Sequence, residues 1–340
     1  MKAVRFHRHG GTDVLQYEDA PDPEPATGEV LVRVRACALN HLDLWERRGI
    51  ERVRIPLPHI SGSDVAGEVE AAPGGEVPVG RRVMLQPGLS CGRCAACLSG
   101  DDNFCVDYDV LGYRSDGGYA QLVKVPTRNI VPIPDSIAFI DAAAFPLTFL
   151  TAWHMLVTRA KLRPGDDVLV LAAGSGVGQA AVQIACLNGA RVFATAGSSE
   201  KLKQARSLGA CEVINHHTQD FSEEIRRLTH KRGVDIVVEH IGQATWDRSI
   251  RSLARGGRLV TCGATSGAAG KIDLVMLFAR QLSLLGSYMG TKAELLHVAQ
   301  FFFAGRLKPV IDRTFPLADA ARAQDRLERA EQFGKIVLEC

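Results

Sequence analysis

The chain has 340 residues, which is more than one ordinary domain needs and is comfortable for two. Hydrophobic residues make up 46% and charged residues 23%, a composition typical of a globular protein with enough apolar material for two cores. The 40 Lys and Arg residues against 38 Asp and Glu residues give a net charge of +2, without a Lys/Arg block. This balance argues against a nucleic-acid partner and against binding to an anionic membrane surface.

Two segments bear on location. The chain opens with Met1-Lys2-Ala3-Val4-Arg5, which lacks the apolar segment of a signal peptide and favours a cytoplasmic protein. Residues 168–190 carry no charge and are about as long as a membrane helix, but they contain Gly174, Gly176 and Gly178 and several amide side chains. A buried strand, a glycine turn and a buried helix explain this segment better, so we expect no membrane span.

The distribution of proline divides the chain. Thirteen of the 15 prolines lie at or before Pro164, and none lies between residues 165 and 308. Because proline removes a backbone donor and is confined to edges and turns of sheets, the first part is predicted to contain short strands joined by turns. The second part is predicted to alternate strands and helices without interruption.

A cysteine cluster lies in the first part. Cys91, Cys94, Cys97 and Cys105 have the spacing C-x2-C-x2-C-x7-C, and four such thiolates suit a closed tetrahedral zinc site. Disulfides are disfavoured because cysteines three apart pair poorly and a cytosolic protein keeps them reduced. Chance clustering is the alternative. With all four ligands from protein, we expect one structural zinc ion per chain and no catalytic role for it.

The second part predicts an α/β fold. Six strands with helical crossovers predict a doubly wound parallel sheet with right-handed connections. The strand-like runs are 168–172, 191–195, 211–214, 234–238, 258–262 and 282–287. Helix-like segments are 177–188, 199–208, 219–231 and 243–254, and the tail adds helices at 293–304 and 317–330 and a strand at 334–339.

A glycine turn follows the first of these strands. It contains Gly174, Ser175, Gly176, Val177 and Gly178 and leads directly into a helix. Such a turn lets backbone amides approach a pyrophosphate, and the helix N-terminus adds a favourable dipole. The sequence therefore predicts a dinucleotide site, the alternative being a tight turn without a ligand.

The end of the second strand bears on the choice of cofactor. An NAD-binding strand would end in Asp or Glu to bond the ribose 2′-hydroxyl, whereas residues 194–201 read Ala-Thr-Ala-Gly-Ser-Ser-Glu-Lys. A missing carboxylate removes repulsion against a 2′-phosphate, which Ser198 and Lys201 can bind, so we favour NADPH over NADH. The alternative is that Ser198 or Ser199 caps the following helix while Lys201 stays solvated, and capping and phosphate binding can also hold together.

Together these features resemble the medium-chain dehydrogenase/reductase family of zinc-type alcohol dehydrogenases and quinone oxidoreductases, over essentially the whole chain. Residues 116–121, Asp-Gly-Gly-Tyr-Ala-Gln, also resemble that family's glycine–aromatic entry to a strand. The resemblance implies a GroES-like β-barrel domain at 1–147 with a structural zinc lobe at 88–108, a Rossmann domain at 148–288, and a return to the first domain at 289–340. It further implies a homodimer formed through the edge strand near 282–287, or a homotetramer.

The departures from the family concern the catalytic metal. Zinc-dependent members use a Cys, a His and a further Cys or Asp, and the aligned positions here hold Asn40, Ser63 and Leu147. The proton-relay positions hold Leu42 and Trp45, which cannot relay a proton. An atypical metal site remains an alternative, and it would draw on His41, Asp43, His59 and Asp64.

Without a catalytic zinc ion, no Lewis acid would stabilise the alkoxide that forms in alcohol oxidation, so a different reaction is expected. Reduction of a quinone or an α,β-unsaturated carbonyl compound needs less help, and the family's zinc-free reductases carry an Asn-x-x-Asp pattern like Asn40 to Asp43. The resemblance thus implies an NADPH-dependent reductase of these small molecules. The alternatives are an alcohol or aldehyde dehydrogenase with an atypical metal site, and an NADPH sensor or RNA-binding protein without turnover.

Residue roles follow from the resemblance. Asn40 is expected to donate a hydrogen bond to the substrate carbonyl and Asp43 to orient it, the alternative being that both bond only local backbone. Thr151 is expected beside the nicotinamide. His216 joins Ser198 and Lys201 around the 2′-phosphate, at a position where some zinc-free relatives have a tyrosine. The nicotinamide pocket is expected to be lined by Gly263, Ala264 and the 287–289 segment, which begins with Ser287.

Overall fold

The computed structural model describes residues 1–51 and 53–340. The chain divides into two compact units, one formed by Met1–Leu147 with Thr291–Cys340 and the other by Thr148–Gly290. The strands are β1 (Lys2–Phe6), β2 (Leu15–Asp19), β3 (Glu29–Ala38), β4 (Asp64–Ala71), β5 (Arg82–Leu85), β6 (Gly88–Leu89), β7 (Asp109–Val110), β8 (Leu122–Pro126), β9 (Ile130–Pro132), β10 (Asp167–Val170), β11 (Arg191–Ala196), β12 (Glu212–Asn215), β13 (Val234–Glu239), β14 (Leu253–Thr261), β15 (Ser283–Gly286), β16 (Ile311–Pro316) and β17 (Lys335–Glu339).

The α-helices follow the same chain order. They are α1 (His41–Arg48), α2 (Ala95–Ser99), α3 (Phe139–Ala143), α4 (Pro146–Trp153), α5 (Gly176–Leu187), α6 (Ser199–Ser207), α7 (Phe221–Leu228), α8 (Trp246–Ser252), α9 (Leu274–Ala279), α10 (Lys292–Phe303) and α11 (Ala320–Glu328). A π-helical segment, His154–Arg159, continues α4. Among the described residues, none of these helices combines the length and apolarity needed to cross a bilayer.

The second unit contains the predicted parallel sheet. Its six strands lie in the order β12-β11-β10-β13-β14-β15, and every neighbouring pair is parallel, which confirms the doubly wound fold. The central strands are covered on both faces, and Val168, Leu169 and Val170 of β10 are fully buried. The strand order reverses between β10 and β13, so a ligand site is expected at their carboxyl ends.

Strand β14 and helix α9 of the second unit differ from the sequence prediction. Strand β14 begins at Leu253 rather than at residue 258, because the chain enters it directly from the end of α8. The start of this strand is irregular, and Gly256 there has a positive φ of 73°. Helix α9 was not predicted. Its N-terminus is capped by the Asp273 carboxylate, which accepts from the amides of Val275 and Met276.

The first unit is built on a largely antiparallel seven-stranded sheet. The order is β16-β17-β3-β4-β5-β9, with β8 also paired to β3. The tail of the chain supplies β16 and β17, and β17 pairs antiparallel with β3, so that Val337 lies opposite Ala38. Strand β4 flanks β3 on the other side, where Asp64 is also opposite Ala38. This register brings the start of β4, the end of β3 and the start of β17 together at one end of the sheet.

Candidate active site

Three strand ends of the first unit bring charged and polar side chains together. Asn40 follows β3, Asp64 opens β4 and Lys335 opens β17. The Lys335 ammonium donates to Asn40 Oδ1 at 2.7 Å and to Asp64 Oδ2 at 2.9 Å. The Asn40 amide Nδ2 donates to the same Asp64 oxygen at 3.0 Å. The three side chains therefore form one closed hydrogen-bonded network.

This network is removed from solvent. The side chain of Lys335 is 2% exposed and that of Asp64 is 0% exposed. The second Asp64 oxygen accepts from the backbone amide of Leu147 at 2.8 Å. A buried ion pair persists only when both charges are paired and hydrogen-bonded, and each charge here meets that condition.

Asp43 holds the backbone beside this network. Its Oδ2 accepts from the Asn40 amide at 2.9 Å and from the Tyr119 hydroxyl at 2.7 Å. Complete burial raises the pKa of Asp43 to about 6, the negative charge of Asp64 adds to this, and the two hydrogen bonds oppose it. The carboxyl group is therefore close to its titration range near neutral pH.

Asp43 was expected to orient Asn40, and in the structure it does so for the backbone of Asn40 but not for its side chain. Asp43 fixes the backbone amide of Asn40, whereas Asp64 and Lys335 fix its side-chain amide. The other contact of Asn40 Nδ2 is a long one, 3.4 Å, to the carbonyl of Ala38. Lys335 was missed by sequence reasoning because its partners lie 295 and 271 residues away, and the strand order alone brings them together.

Neither the aligned position of Ser63 nor the atypical set of His and Asp residues resembles a metal site. Ser63 is fully buried, and its hydroxyl has no hydrogen-bond partner in the described part of the chain. In the atypical set, His59 is engaged through Nε2 with the Gly112 carbonyl at 2.8 Å, and burial lowers its pKa. Asp64 is committed to Lys335.

The cysteine cluster is assembled as the spacing predicted. The four sulfurs of Cys91, Cys94, Cys97 and Cys105 all lie within 4.8 Å of one another, and residue 52 aside this is the one group of Cys, His and carboxylate side chains close enough to bind a metal. The Sγ atoms of Cys91 and Cys94 lie 3.9 and 3.5 Å from that of Cys97. A tetrahedral zinc site with Zn–S bonds of about 2.3 Å requires sulfurs about 3.8 Å apart.

Backbone amides support this cluster. The amide of Cys94 donates to the Cys91 sulfur at 3.4 Å, and the amide of Cys91 donates to the Cys105 sulfur at 3.3 Å. Such bonds stabilise thiolates, the form in which cysteine binds a metal. The donor set, its spacing and these bonds all fit a zinc ion.

The glycine turn of the second unit packs tightly at the end of β10. A Cβ atom on Gly178 would lie 2.2 Å from the carbonyl oxygen of Ala172, so only glycine fits there. The Ser175 hydroxyl caps α5 by accepting from the Gly178 amide at 2.9 Å. Between them, Gly176 and Val177 begin the helix, and amides at a helix start have no acceptor within the helix. The turn can therefore hold a pyrophosphate.

The end of β11 is surrounded by nitrogen-bearing side chains. The pKa of His216 is lowered by burial first, and then by the positive charges of His217, Arg248 and Lys201. Ser198 caps α6 by accepting from the backbone amide of Lys201 at 3.3 Å, so the capping alternative is realised for this serine. His217 and Arg248 were not singled out from the sequence, because the turn after β12 and helix α8 contribute them separately.

Gly197 makes room for this cluster. A Cβ atom at this glycine would lie 2.6 Å from His217 Nε2 and 3.1 Å from His216 Nε2. The two imidazoles therefore pack against the backbone just beyond β11, where a Rossmann fold binds the adenosine ribose.

Other expected residues lie at the carboxyl ends of the remaining strands. Gly263 follows β14, and its carbonyl accepts from the Thr261 hydroxyl at 3.2 Å. The amide of Ser287, which follows β15, donates to the Thr261 carbonyl at 2.9 Å. These contacts place the segments of Gly263, Ala264 and Ser287 at the carboxyl end of the parallel sheet. Thr151 lies in α4, buried, and its hydroxyl has no partner among the described residues.

His240 is a further residue at this end of the sheet, and it was not singled out from the sequence. Its Nε2 lies 3.0 Å from the Leu171 carbonyl and 3.4 Å from the Ser175 hydroxyl. It follows β13, next to the point where the strand order reverses, and burial lowers its pKa. The only signal for it was its position directly after a predicted strand.

Comparison with known proteins places both units. Residues 176–304 match the zinc-binding dehydrogenase family, and residues 26–135 match the alcohol dehydrogenase GroES-like domain. Rat quinone oxidoreductase is 31% identical, with 99% of this chain and 97% of the rat protein covered. A Sulfurisphaera tokodaii protein named NAD-dependent alcohol dehydrogenase is 31% identical, with 99% of each chain covered. A crystal structure of an NAD-dependent alcohol dehydrogenase is 48% identical with a TM-score of 0.96, and all of both chains is covered.

These relatives cover nearly the whole chain and include both quinone oxidoreductases and alcohol dehydrogenases. The GroES-like match lies within the first unit, and the zinc-binding dehydrogenase match covers most of the second unit and the start of the first unit's C-terminal segment. The chain therefore belongs to the medium-chain dehydrogenase/reductase family of oxidoreductases.

Proposed function

We propose that the protein is an NADPH-dependent oxidoreductase that reduces quinones or α,β-unsaturated carbonyl compounds by hydride transfer without a catalytic metal. The observation that carries this proposal is the buried network of Lys335, Asp64 and Asn40. Asn40 occupies one of the three positions that align with the zinc ligands of zinc-dependent relatives, and Asp64 directly follows a second one, Ser63.

The charges of this network oppose a divalent cation. The ammonium of Lys335 already neutralises Asp64 at 2.9 Å, and a second cation beside it would be repelled strongly at such low exposure. The third aligned position, Leu147, has no ligand atom in its side chain. An amide, a hydroxyl and a leucine are a poor donor set for zinc, which prefers thiolate, imidazole and carboxylate ligands.

Asn40 is the group we propose to contact the substrate. When bound, the nicotinamide supplies a hydride, and negative charge then develops on the substrate's carbonyl or quinone oxygen. The Asn40 hydrogen that reaches Ala38 over 3.4 Å makes only a weak bond and can be donated to that oxygen instead. Asp64 and Lys335 act as positioning residues, because they hold the amide in one orientation.

The second unit is proposed to bind the cofactor. The amides of the Gly174–Gly178 turn would hold the pyrophosphate, and Thr151, Gly263, Ala264 and Ser287 would line the nicotinamide pocket. The 2′-phosphate would lie among Ser198, Lys201 and His216, with His217 and Arg248 adding to the positive field. This field, together with the missing carboxylate, favours NADPH over NADH.

The cysteine cluster is proposed to hold one zinc ion per chain. All four ligands come from protein side chains, so this ion has no open position for substrate or water and would stabilise the lobe around α2.

We also propose a homodimer. Helix α9 exposes Leu274, Val275 and Phe278, which are 67%, 62% and 69% exposed, beside the edge strand β15. A second copy would cover this apolar surface and the unpaired edge. Sedimentation equilibrium should give a dimer that Phe278→Glu dissociates. A monomeric wild type would refute the dimer, whereas a tetramer would require a second surface.

The test of the proposed activity is oxidation of NADPH, followed at 340 nm, with a panel of quinones and enones. Turnover is expected with these acceptors, with a lower KM for NADPH than for NADH, and Asn40→Ala should lower kcat while leaving the KM for NADPH unchanged. The matched control is Asn129→Ala, which alters a buried asparagine bonded to the Gln86 and Gly88 carbonyls. Chelator-sensitive oxidation of alcohols without quinone turnover would instead support the second candidate, a dehydrogenase like the archaeal relative.

A further inference from the structure

A cavity of about 550 Å³ in the second unit is lined mainly by cationic side chains. None of the lining residues that the structure describes is acidic. The cations are Arg226, Lys231, Arg232, Arg251, Arg255 and Arg280.

This cationic cavity lies at the opposite end of the sheet from the glycine turn. Gly233 precedes β13, and Leu253, Ala254 and Arg255 open β14, so the cavity is at the amino ends of these parallel strands. The glycine turn follows the carboxyl end of the parallel strand β10. A six-residue strand such as β13 is about 20 Å long. A ligand here would therefore not overlap a nucleotide at the turn.

Only two of the six cations are neutralised by carboxylates. Arg232 pairs with Asp235 at 2.5 Å and with Asp167 at 3.2 Å, and Arg251 pairs with Asp247 at 2.6 Å. The other four, Arg226, Lys231, Arg255 and Arg280, have no carboxylate partner among residues 1–51 and 53–340.

The hydrogen bonds of the unpaired arginines leave their charge in place. Arg255 donates to the carbonyl of Ala279 at 3.1 Å, and Arg280 donates to the carbonyl of Leu253. Arg280 is half-buried. Burial, followed by the charges of Arg255 and Arg226, lowers the pKa of Arg280, so these three guanidinium groups repel one another. An anion between them would remove this repulsion.

We propose that the cationic cavity binds a small anion carrying two or more phosphate groups, at a site separate from that of the nicotinamide nucleotide. Guanidinium forks match phosphate oxygens in bidentate geometry, and four unpaired cations exceed what a single phosphate can neutralise. The volume lies within the range of small-molecule pockets. The recessed position of Arg280 favours a compact anion over a nucleic-acid backbone.

Calorimetric titration of the full chain with inorganic triphosphate tests this proposal. The protein is first saturated with NADP⁺, so that the nucleotide site is filled. We expect one triphosphate per chain, with orthophosphate binding at least about tenfold more weakly at equal ionic strength.

Variants identify the site. Arg226→Gln removes a side chain for which the structure gives no hydrogen bond or ion pair, so folding should be unaffected while triphosphate affinity falls about tenfold. Arg255→Gln combined with Arg280→Gln should weaken binding further. The control is Arg322→Gln, which removes an exposed partner of Asp319 and should leave binding unchanged.

Three results would overturn the proposal. Equal affinity of wild type and Arg226→Gln would separate binding from the cavity. Loss of triphosphate binding on saturation with NADP⁺ would place the anion in the nucleotide site. Failure of triphosphate to bind, with variant-sensitive binding of a single-stranded RNA oligonucleotide, would make this surface a nucleic-acid site instead.

Discussion

At the scale of single residues, the candidate active site depends on how Lys335 and Asp64 neutralise each other. Lys335→Met should lower the free energy of unfolding by about 3–5 kcal/mol, because it leaves a buried carboxylate without its cation. Urea denaturation measures this loss. Lys335→Met combined with Asp64→Asn should recover part of it, since the asparagine oxygen can still accept from the Leu147 amide.

A surface ion pair gives the matched control for this prediction. Lys124 lies 3.5 Å from Glu29 with both side chains partly exposed, and Lys124→Met should cost less than about 1 kcal/mol. If Lys335→Met cost no more than Lys124→Met, the buried pair would not hold the site together.

Asp43 gives a prediction about pH. Its pKa is raised from the ordinary 3.8 to about 6 by burial, so the folded state binds a proton more tightly than the unfolded chain does. The contribution of Asp43 therefore becomes less favourable as pH rises from about 4 to about 6, by on the order of 3 kcal/mol. Asp43→Asn removes this titration.

Urea denaturation of both proteins between pH 4 and pH 7 checks the sign. The unfolding free energy of Asp43→Asn minus that of the wild type should increase with pH through this window. A constant difference would mean that Asp43 has an ordinary pKa in the folded protein.

At the scale of elements, the turn between β10 and α5 sets the geometry for the cofactor. Gly178→Ala would place a methyl group 2.2 Å from the Ala172 carbonyl oxygen, so the helix start must shift. We expect a loss of about 1–3 kcal/mol in stability, as for other overpacked sites, and weaker NADPH binding measured by fluorescence titration.

Gly286→Ala is the control for stability, because a Cβ atom at this position has no neighbour within 4 Å. Its φ lies outside the region that disfavours side chains, so the variant should be close to neutral. Equal losses for the two variants would show that the close approach at Gly178 does not matter.

Elements with a clear hydrophobic periodicity or a local sequence motif could be predicted from the sequence. The alternating strands and helices of the second unit, and the four cysteines, could be predicted because each signal lies within a short stretch of sequence. Helix α9 was missed because it lies between the predicted strands 258–262 and 282–287, where no helix was predicted, and its exposed apolar side chains give no amphipathic pattern. Lys335 was missed for a different reason, since its partners come from β3 and β4.

At the scale of the whole molecule, function is distributed over parts with separate roles. The network at Lys335 and the cysteine lobe belong to the first unit, whereas the glycine turn, His216 and His217 belong to the second. Family membership alone does not choose between quinone reduction and alcohol oxidation, because the relatives include both. The choice depends on whether a second metal ion binds.

The most direct test is the zinc content of catalytically active protein, purified untagged without chelators and measured by elemental mass spectrometry. The proposed function requires one zinc ion per chain, bound by Cys91, Cys94, Cys97 and Cys105, and protein with this content should turn over quinones or enones with NADPH. Two zinc ions per chain would contradict it, because a metal would then share the site with Lys335 and alcohol dehydrogenase would become the leading function.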